Sequence, residues 1–327
     1  MKNKQAAFWK INSEKEFEEF AIKTFNYQFN NNIIYRSYCD LLNINSSDIK
    51  KCNQIPFLPI ELFKSNKIKS FTENEKYIFY SSSNLNKTKS KHYINDIFNY
   101  QKSYLNCFNL FYGNLKNYNI LALLPSYIER ENSSLIYMVN DFINKSENNF
   151  SGFYINEFER LFSTLNNLEK EKKSTILIGV SFALLDFIEF KKIHLKNTIV
   201  METGGMKGRR KELIREDLHE KLKNGFGVSK IHSEYGMTEL LSQAYSKGNG
   251  LFNCPPWMKI SIRDTNDPLI NLPSNTLGAI NIIDLANQDS CAFIATQDLG
   301  IVKLDNSFEV IGRMDDSDKR GCNLMIY

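Results

Sequence analysis

The 327-residue sequence has no Cys-x-x-Cys pair: its six cysteines stand singly at positions 39, 52, 107, 254, 291 and 322, and its four histidines are scattered at 92, 194, 219 and 232. No zinc-ligand spacing arises from such a pattern. A chain this long buries a core without disulfide or metal staples, so the cysteines read as mostly buried thiols of a reducing compartment. Long apolar runs are missing as well. Residues 120–124 and 175–180 are far too short to span a bilayer, and the first twenty residues hold no apolar core like that of a signal peptide. A cytoplasmic protein is the expectation. Net charge is scarce, because 41 Lys+Arg against 37 Asp+Glu leave only +4, too mild for a dedicated nucleic-acid binder. There is no internal repeat and no Gly/Ser/Pro-rich linker. Aromatics, by contrast, are plentiful, and 24 Phe with 16 Tyr exclude a disordered, solvating chain.

Ser13 with Glu16 has the form of a capping box, and Phe17, Phe20, Ala21 and Phe25 follow at helical spacing. Two prolines at 56 and 59 make the next stretch extended or turning. Tyr77-Ile78-Phe79-Tyr80 predicts a short buried strand, residues 81–92 a polar loop, and Ile94, Ile97, Phe98, Leu105 and Phe108 a long helix. Residues 119–124, 175–180 and 198–201 predict further strands. Helices are expected at 135–142, 182–190 and roughly 210–223. Strands alternating with helices imply βαβ units and a mostly parallel sheet, with ligands at the carboxyl ends of its strands. After residue 250 helical periodicity fades. Short strands at 279–285, 291–295, 300–304 and 308–311 suggest a small antiparallel β subdomain. The expected division is an α/β core over 1–250 and a β-rich unit with a short tail over 251–327.

Four segments carry candidate chemistry. The Ser/Lys-rich stretch 81–92 either wraps phosphate oxygens with amides, hydroxyls and ammonium groups or is a solvated surface loop. Glu202-Thr203-Gly204-Gly205, followed by basic residues to Lys211, allows close backbone approach to a planar or phosphorylated ligand, or is a solvated turn. Tyr235-Gly236-Met237-Thr238-Glu239 joins a ring that can stack on a base, a hydroxyl that can donate to a phosphate and a carboxylate that can hold Mg²⁺. Thr296-Gln297-Asp298-Leu299-Gly300 and Ile311-Gly312-Arg313 offer a carboxylate and a guanidinium at strand ends, able to clamp two ribose hydroxyls or simply a turn Asp and a surface Arg.

Taken together and in this order, the segments resemble the adenylate-forming superfamily, and within it the LuxE-like acyl-protein synthetases. HSEYGMTELLSQAYS, TGGMKGRRKEL, ATQDLG and GRMDDSDKRGCNLM carry the resemblance, which runs from about Ile55 to the end. It implies an α/β fold of the superfamily's N-terminal type, mostly parallel sheets with flanking helices plus the small β subdomain. It also implies ATP and Mg²⁺ as co-substrate and cofactor. Tyr235 would lie near adenine, with Gly204, Gly205 and Gly236 beside it. Ser82, Ser83 and Lys87 would belong to the phosphate loop. Thr238 would contact the α-phosphate, Glu239 would hold Mg²⁺, and Asp298 with Arg313 would meet the ribose. Cys322 would be the thiol that takes the acyl group from the adenylate, before a partner reductase, carrier protein or CoA receives it. Lys319 and Arg320 nearby favour its thiolate; packing of a final strand is the other reading.

Two departures stand out. Where the superfamily has Ser-Ser-Gly-Thr-Thr-Gly, this chain has Ser82-Ser83-Asn84-Leu85-Asn86, without either glycine or threonine. Asn86 can supply positive φ at the second glycine position, but Leu85 has no hydroxyl to donate. The sequence also stops at Tyr327, so no counterpart of the superfamily's mobile C-terminal domain is expected. Three functions follow: activation of a carboxylic, especially fatty, acid as acyl-adenylate; acyl transfer from CoA or a carrier protein without adenylation; or silent binding of a nucleotide or acyl-adenylate.

Overall fold

The computed structural model describes residues 8–82, 88–125, 132–204 and 213–314. The chain opens with α1 (Glu14–Asn31) and α2 (Ile33–Leu41). Ser13 caps α1 by accepting from the Glu16 amide, and the Glu16 carboxylate reaches back to the Asn12 amide. Phe17, Ala21 and Phe25 are buried along one face, as their spacing predicts. Next come β1 (Leu58–Pro59), α3 (Leu62–Ser65), β2 (Tyr77–Tyr80), β3 (Lys91–Ile94) and α4 (Ile97–Tyr112). The alternating core follows: β4 (Asn119–Leu123), α5 (Ser134–Ser146), β5 (Gly152–Phe153), α6 (Phe158–Lys170), β6 (Thr175–Val180), α7 (Ser181–Phe190), β7 (Thr198–Thr203), α8 (Arg215–Phe226) and β8 (His232–Tyr235). From there the described residues form strands only: β9 (Ala244–Ser246), β10 (Leu251–Asn253), β11 (Met258–Arg263), β12 (Asn271–Leu272), β13 (Leu277–Asp284), β14 (Phe293–Val302) and β15 (Phe308–Arg313).

β5, β4, β6, β7 and β8 lie side by side in that order, all parallel. Helices cover the sheet, so every residue of β4 and β6 is buried and both read as unbroken apolar runs. The spatial order is 2-1-3-4-5 of the strand sequence, the doubly wound pattern whose ligands collect at the strands' carboxyl ends. β8 turns antiparallel into β9, and β10, β15, β14, β13, β11 and β12 continue the same hydrogen-bonded sheet, with β1 added parallel to β14.

The structure corrects three expectations. Residues 91–94 are a strand, not loop: β2 and β3 form a separate antiparallel hairpin with Phe79 opposite His92, so β2 is no member of the parallel sheet. Phe98 stands exposed and Ile94 belongs to β3 rather than the helix. Residues 291–295 and 300–304 are not separate strands, since β14 runs through from Phe293 to Val302. Asp298 therefore lies inside a strand, beside a register shift between Leu299 and Gly300. A Cβ on Gly300 would run into the Glu309 carbonyl, and only glycine lets the strands close at this irregularity.

Candidate functional site

Tyr235 ends β8, while Asp298 sits on β14, four strands away in the sheet order. Flat, those strands would be about 19 Å apart at ~4.8 Å per spacing. Yet the Tyr235 hydroxyl donates to Asp298 Oδ2 at 2.8 Å. The sheet must curl for this, and the curl is filled with aromatics: the Tyr235 ring packs edge-on against Phe252 of β10 and Phe308 of β15, at 5.9 and 5.6 Å between centroids. Asp298 faces Arg313 directly across the β14–β15 ladder. The Arg313 Nε lies 3.5 Å from Asp298 Oδ1, with the guanidinium largely exposed and the carboxylate 15% exposed. Burial raises the Asp298 carboxyl above its ordinary range, against the opposing pull of Arg313 and the Tyr235 hydroxyl.

The segment after β8 passes Gly236, where a Cβ would meet Glu234 Oε1 at 2.6 Å, and turns at Thr238 and Glu239, with the Leu240 amide donating to the Met237 carbonyl. Thr238 is half-buried and Glu239 is 5% exposed. Burial raises the Glu239 carboxyl, opposed by a hydrogen bond from the Ser90 hydroxyl and by the charge of Arg313. Main-chain groups of this segment are held from outside. The Asn287 amide donates to the carbonyls of Glu239 and Cys291, both at 2.8 Å. Asp284 accepts from the amides of Leu241 and Ser242 at 2.8 and 2.9 Å and from the Ser242 hydroxyl. His92 places Nδ1 2.7 Å from the Thr238 carbonyl and Nε2 3.0 Å from Asn287 Oδ1. Sequence reasoning missed Ser90, His92, Asp284 and Asn287. Their spacing holds one available signal: Ser90 and His92 are two residues apart, so extended chain puts both on one face.

At the ends of β6 and β7, Gly204 adopts φ +55°, in the left-handed region. Its carbonyl accepts from the Ser181 hydroxyl. Buried Glu202 beside it takes Arg215 at 2.6 Å and His219 at 3.5 Å. Burial alone would raise this carboxyl, but His219 and Arg215 hold it below the ordinary range. The Thr203 hydroxyl donates to the Glu234 carboxylate. Ser82 is exposed at the end of the β2 side of the hairpin. Ser83, Lys87, Gly205 and Cys322 lie outside the described residues.

Among the described residues no three His, Cys, Asp or Glu side chains cluster as a metal site. A Mg²⁺ ion carried by substrate phosphates needs no such cluster, since one or two carboxylates with phosphate and water oxygens complete its octahedron. Glu239, a buried carboxylate beside Ser90, has the oxygen chemistry such a ligand needs. No described helix is long and apolar enough to cross a membrane.

The fold is that of the adenylate-forming enzymes. A 2-hydroxyisobutyryl-CoA ligase crystallised with 2-HIB-AMP and CoA superposes with a TM-score of 0.68 at 11% identity, over 93% of this chain and 68% of that one. ATP-bound MatB from Rhodopseudomonas palustris gives 0.53 at 12% identity over 76% of this chain, and the superposed part is 49% of that longer protein. The family model described as acyl-protein synthetase, LuxE, matches residues 6–327, and the chain belongs to that family. A relative from Aliivibrio fischeri, the long-chain-fatty-acid–luciferin-component ligase, is 23% identical over 341 positions, covering 97% of this chain and 89% of its own. Membership makes the chain an enzyme of the ligase class.

Proposed function

We propose that this enzyme activates a fatty acid with ATP and passes the acyl group to a thiol. The observation that carries the reading is the convergence of Tyr235, Asp298 and Arg313, joined by contacts of 2.8 and 3.5 Å beside the Thr238–Glu239 segment. Asp298 accepts from the ribose hydroxyls while the Tyr235 hydroxyl holds its other oxygen and Arg313 favours its charged form. Tyr235, Gly204, Gly205 and Gly236 lie against the adenine. Thr238 donates to the α-phosphate. Glu239 holds Mg²⁺, which when bound neutralises charge on the phosphates. The fatty carboxylate attacks the α-phosphorus, the bond to the bridging oxygen breaks, and pyrophosphate leaves. Fixed donors aimed at the spreading charge lower this barrier. The Cys322 thiolate then attacks the acyl carbonyl and AMP departs with the electron pair. The final acceptor is a reductase, a carrier protein or CoA.

The test is ATP–pyrophosphate exchange with long-chain fatty acids and Mg²⁺. Acid-dependent exchange is expected, and Asp298→Ala should lower it roughly tenfold or more, the effect of losing charge-assisted hydrogen bonds. Absence of exchange across fatty and aryl acids overturns the reading. The missing glycines and threonines at 84–86 favour a second one, acyl transfer from CoA or a carrier without adenylation. Under it, exchange is absent while labelled acyl-CoA acylates the wild type and not Cys322→Ser.

A further inference from the structure

The polar stretch after β2 enters β3 through Ser90 and His92, two side chains of one strand face that both end on the segment after β8. Ser90 sits beside the Glu239 carboxylate and favours its charged form, and His92 meets the Thr238 carbonyl. Both side chains are buried, Ser90 at 3% and His92 at 0% exposure. The His92 ring is further fixed edge-on to Phe63 at 6.2 Å. Two oxygens flank the imidazole, the Thr238 carbonyl at 2.7 Å and Asn287 Oδ1 at 3.0 Å. Both N–H groups of Asn287 are engaged by the Glu239 and Cys291 carbonyls, so its oxygen is what it turns to His92. Turning the amide over would set that oxygen against two carbonyls. The ring is neutral at physiological pH, since burial pulls His92 down to about 4 against the two hydrogen bonds. A neutral imidazole has one N–H. The shorter contact takes it: Nδ1–H donates to the Thr238 carbonyl, and Nε2 faces Asn287 Oδ1 with no proton between the two acceptors.

We propose that His92 is a positioning residue for the chemistry assigned to Thr238 and Glu239: its Nδ1–H fixes the Thr238 carbonyl, and the β3 face it shares with Ser90 sets where the threonine hydroxyl and the glutamate carboxylate lie. The strand leaving the Ser82–Lys87 region is thus mechanically coupled to the groups that meet the α-phosphate and the cation. The inference rests on the adenylation reading above. An active-site segment held through its carbonyls is the kind of arrangement in which a shift of about 1 Å costs much of the rate.

Three substitutions separate positioning from simple core packing. Asn places its amide nitrogen near the Nδ1 position and keeps the Thr238 arm; Gln places its amide near Nε2 and keeps only the Asn287 arm; Ala keeps neither. His92→Gln and His92→Ala should lower kcat for acid-dependent ATP–pyrophosphate exchange roughly ten- to a hundredfold with KM for ATP changed less than about threefold, while His92→Asn stays within about threefold of wild type in kcat. Melting temperatures of Asn and Gln variants, measured alongside, should be similar. Equal loss in His92→Asn and His92→Gln, tracking stability, overturns the proposal, as does no loss in any variant. If the wild type shows no exchange, the adenylation reading fails by itself. Hydrogen–deuterium exchange of residues 236–242 then decides the coupling: faster exchange in His92→Gln than in His92→Asn supports it, and equal rates overturn it.

Discussion

A few carboxylates in this protein, Glu202, Glu239, Asp284 and Asp298 among them, sit where water is scarce, and their surroundings decide what each can do. Asp298 is raised by burial and drawn back by Arg313 and Tyr235, so the carboxylate proposed to meet sugar hydroxyls is not left unpaired. Asp289 shows the case without a cation beside it, eased only by a hydrogen bond with the Asn95 side chain. Burial, with the nearby charges of Asp96 and Glu73, lifts it from 3.8 to about 6. A carboxyl with a raised native value stabilises the fold fully below its unfolded value, and that contribution is lost as pH rises through the native one. Asp289→Asn should therefore raise the melting temperature at pH 7 by roughly 2–4 °C, with the gain vanishing near pH 4. A thermal melt of both proteins across that range checks it; a gain that is equal at both ends contradicts the assignment. Tyr235, Asp298, Arg313 and Glu239, which the structure brings near one another, stood out in the sequence because they sit in strings that resemble a superfamily's motifs. Ser90, His92, Asp284 and Asn287 did not, because each acts largely on main-chain groups or on another site residue. No short string marks a side chain whose partner is a carbonyl 146 residues away.

Among elements, the turn between β13 and β14 is the hub. Asp284 and Asn287 hold the segment after β8 from one side, and α1 holds the turn from the other. Gln28 donates to the carbonyls of Asn287 and Gln288 and accepts from the Ala292 amide at 2.9 Å. Gln28→Ala strands that amide and two carbonyls in the interior. It should cost about 1–3 kcal/mol in urea unfolding, and unchanged stability would show that water replaces the amide. The strands that sequence pattern found are those buried on both faces, such as β4 and β6, whose apolar runs are continuous. β3 escaped because Lys91 and His92 open it with polar residues ahead of buried Tyr93 and Ile94: His92 belongs there through its bonds, not its hydropathy. β14 reads as two strands in the sequence because Gln297, Asp298 and Gly300 interrupt its apolar run, although none of them makes a turn and Gly300 permits close packing on β15.

At the scale of the molecule, one continuous sheet changes from parallel to antiparallel at β8–β9 and then curls until β14 returns to β8. The alternating half was readable from element order, and the antiparallel half from the loss of helical periodicity after residue 250. The curl was not, because bending depends on how Phe252 and Phe308 pack beneath Tyr235, contacts made between strands far apart in sequence. That curl builds the proposed nucleoside site, and calorimetric titration with a fatty acyl-sulfamoyl adenosine tests it most directly. Wild type should bind with one-to-one saturation, and Asp298→Ala should bind roughly ten- to a hundredfold more weakly. Absent heat in the wild type, or equal affinity in the variant, would contradict the account.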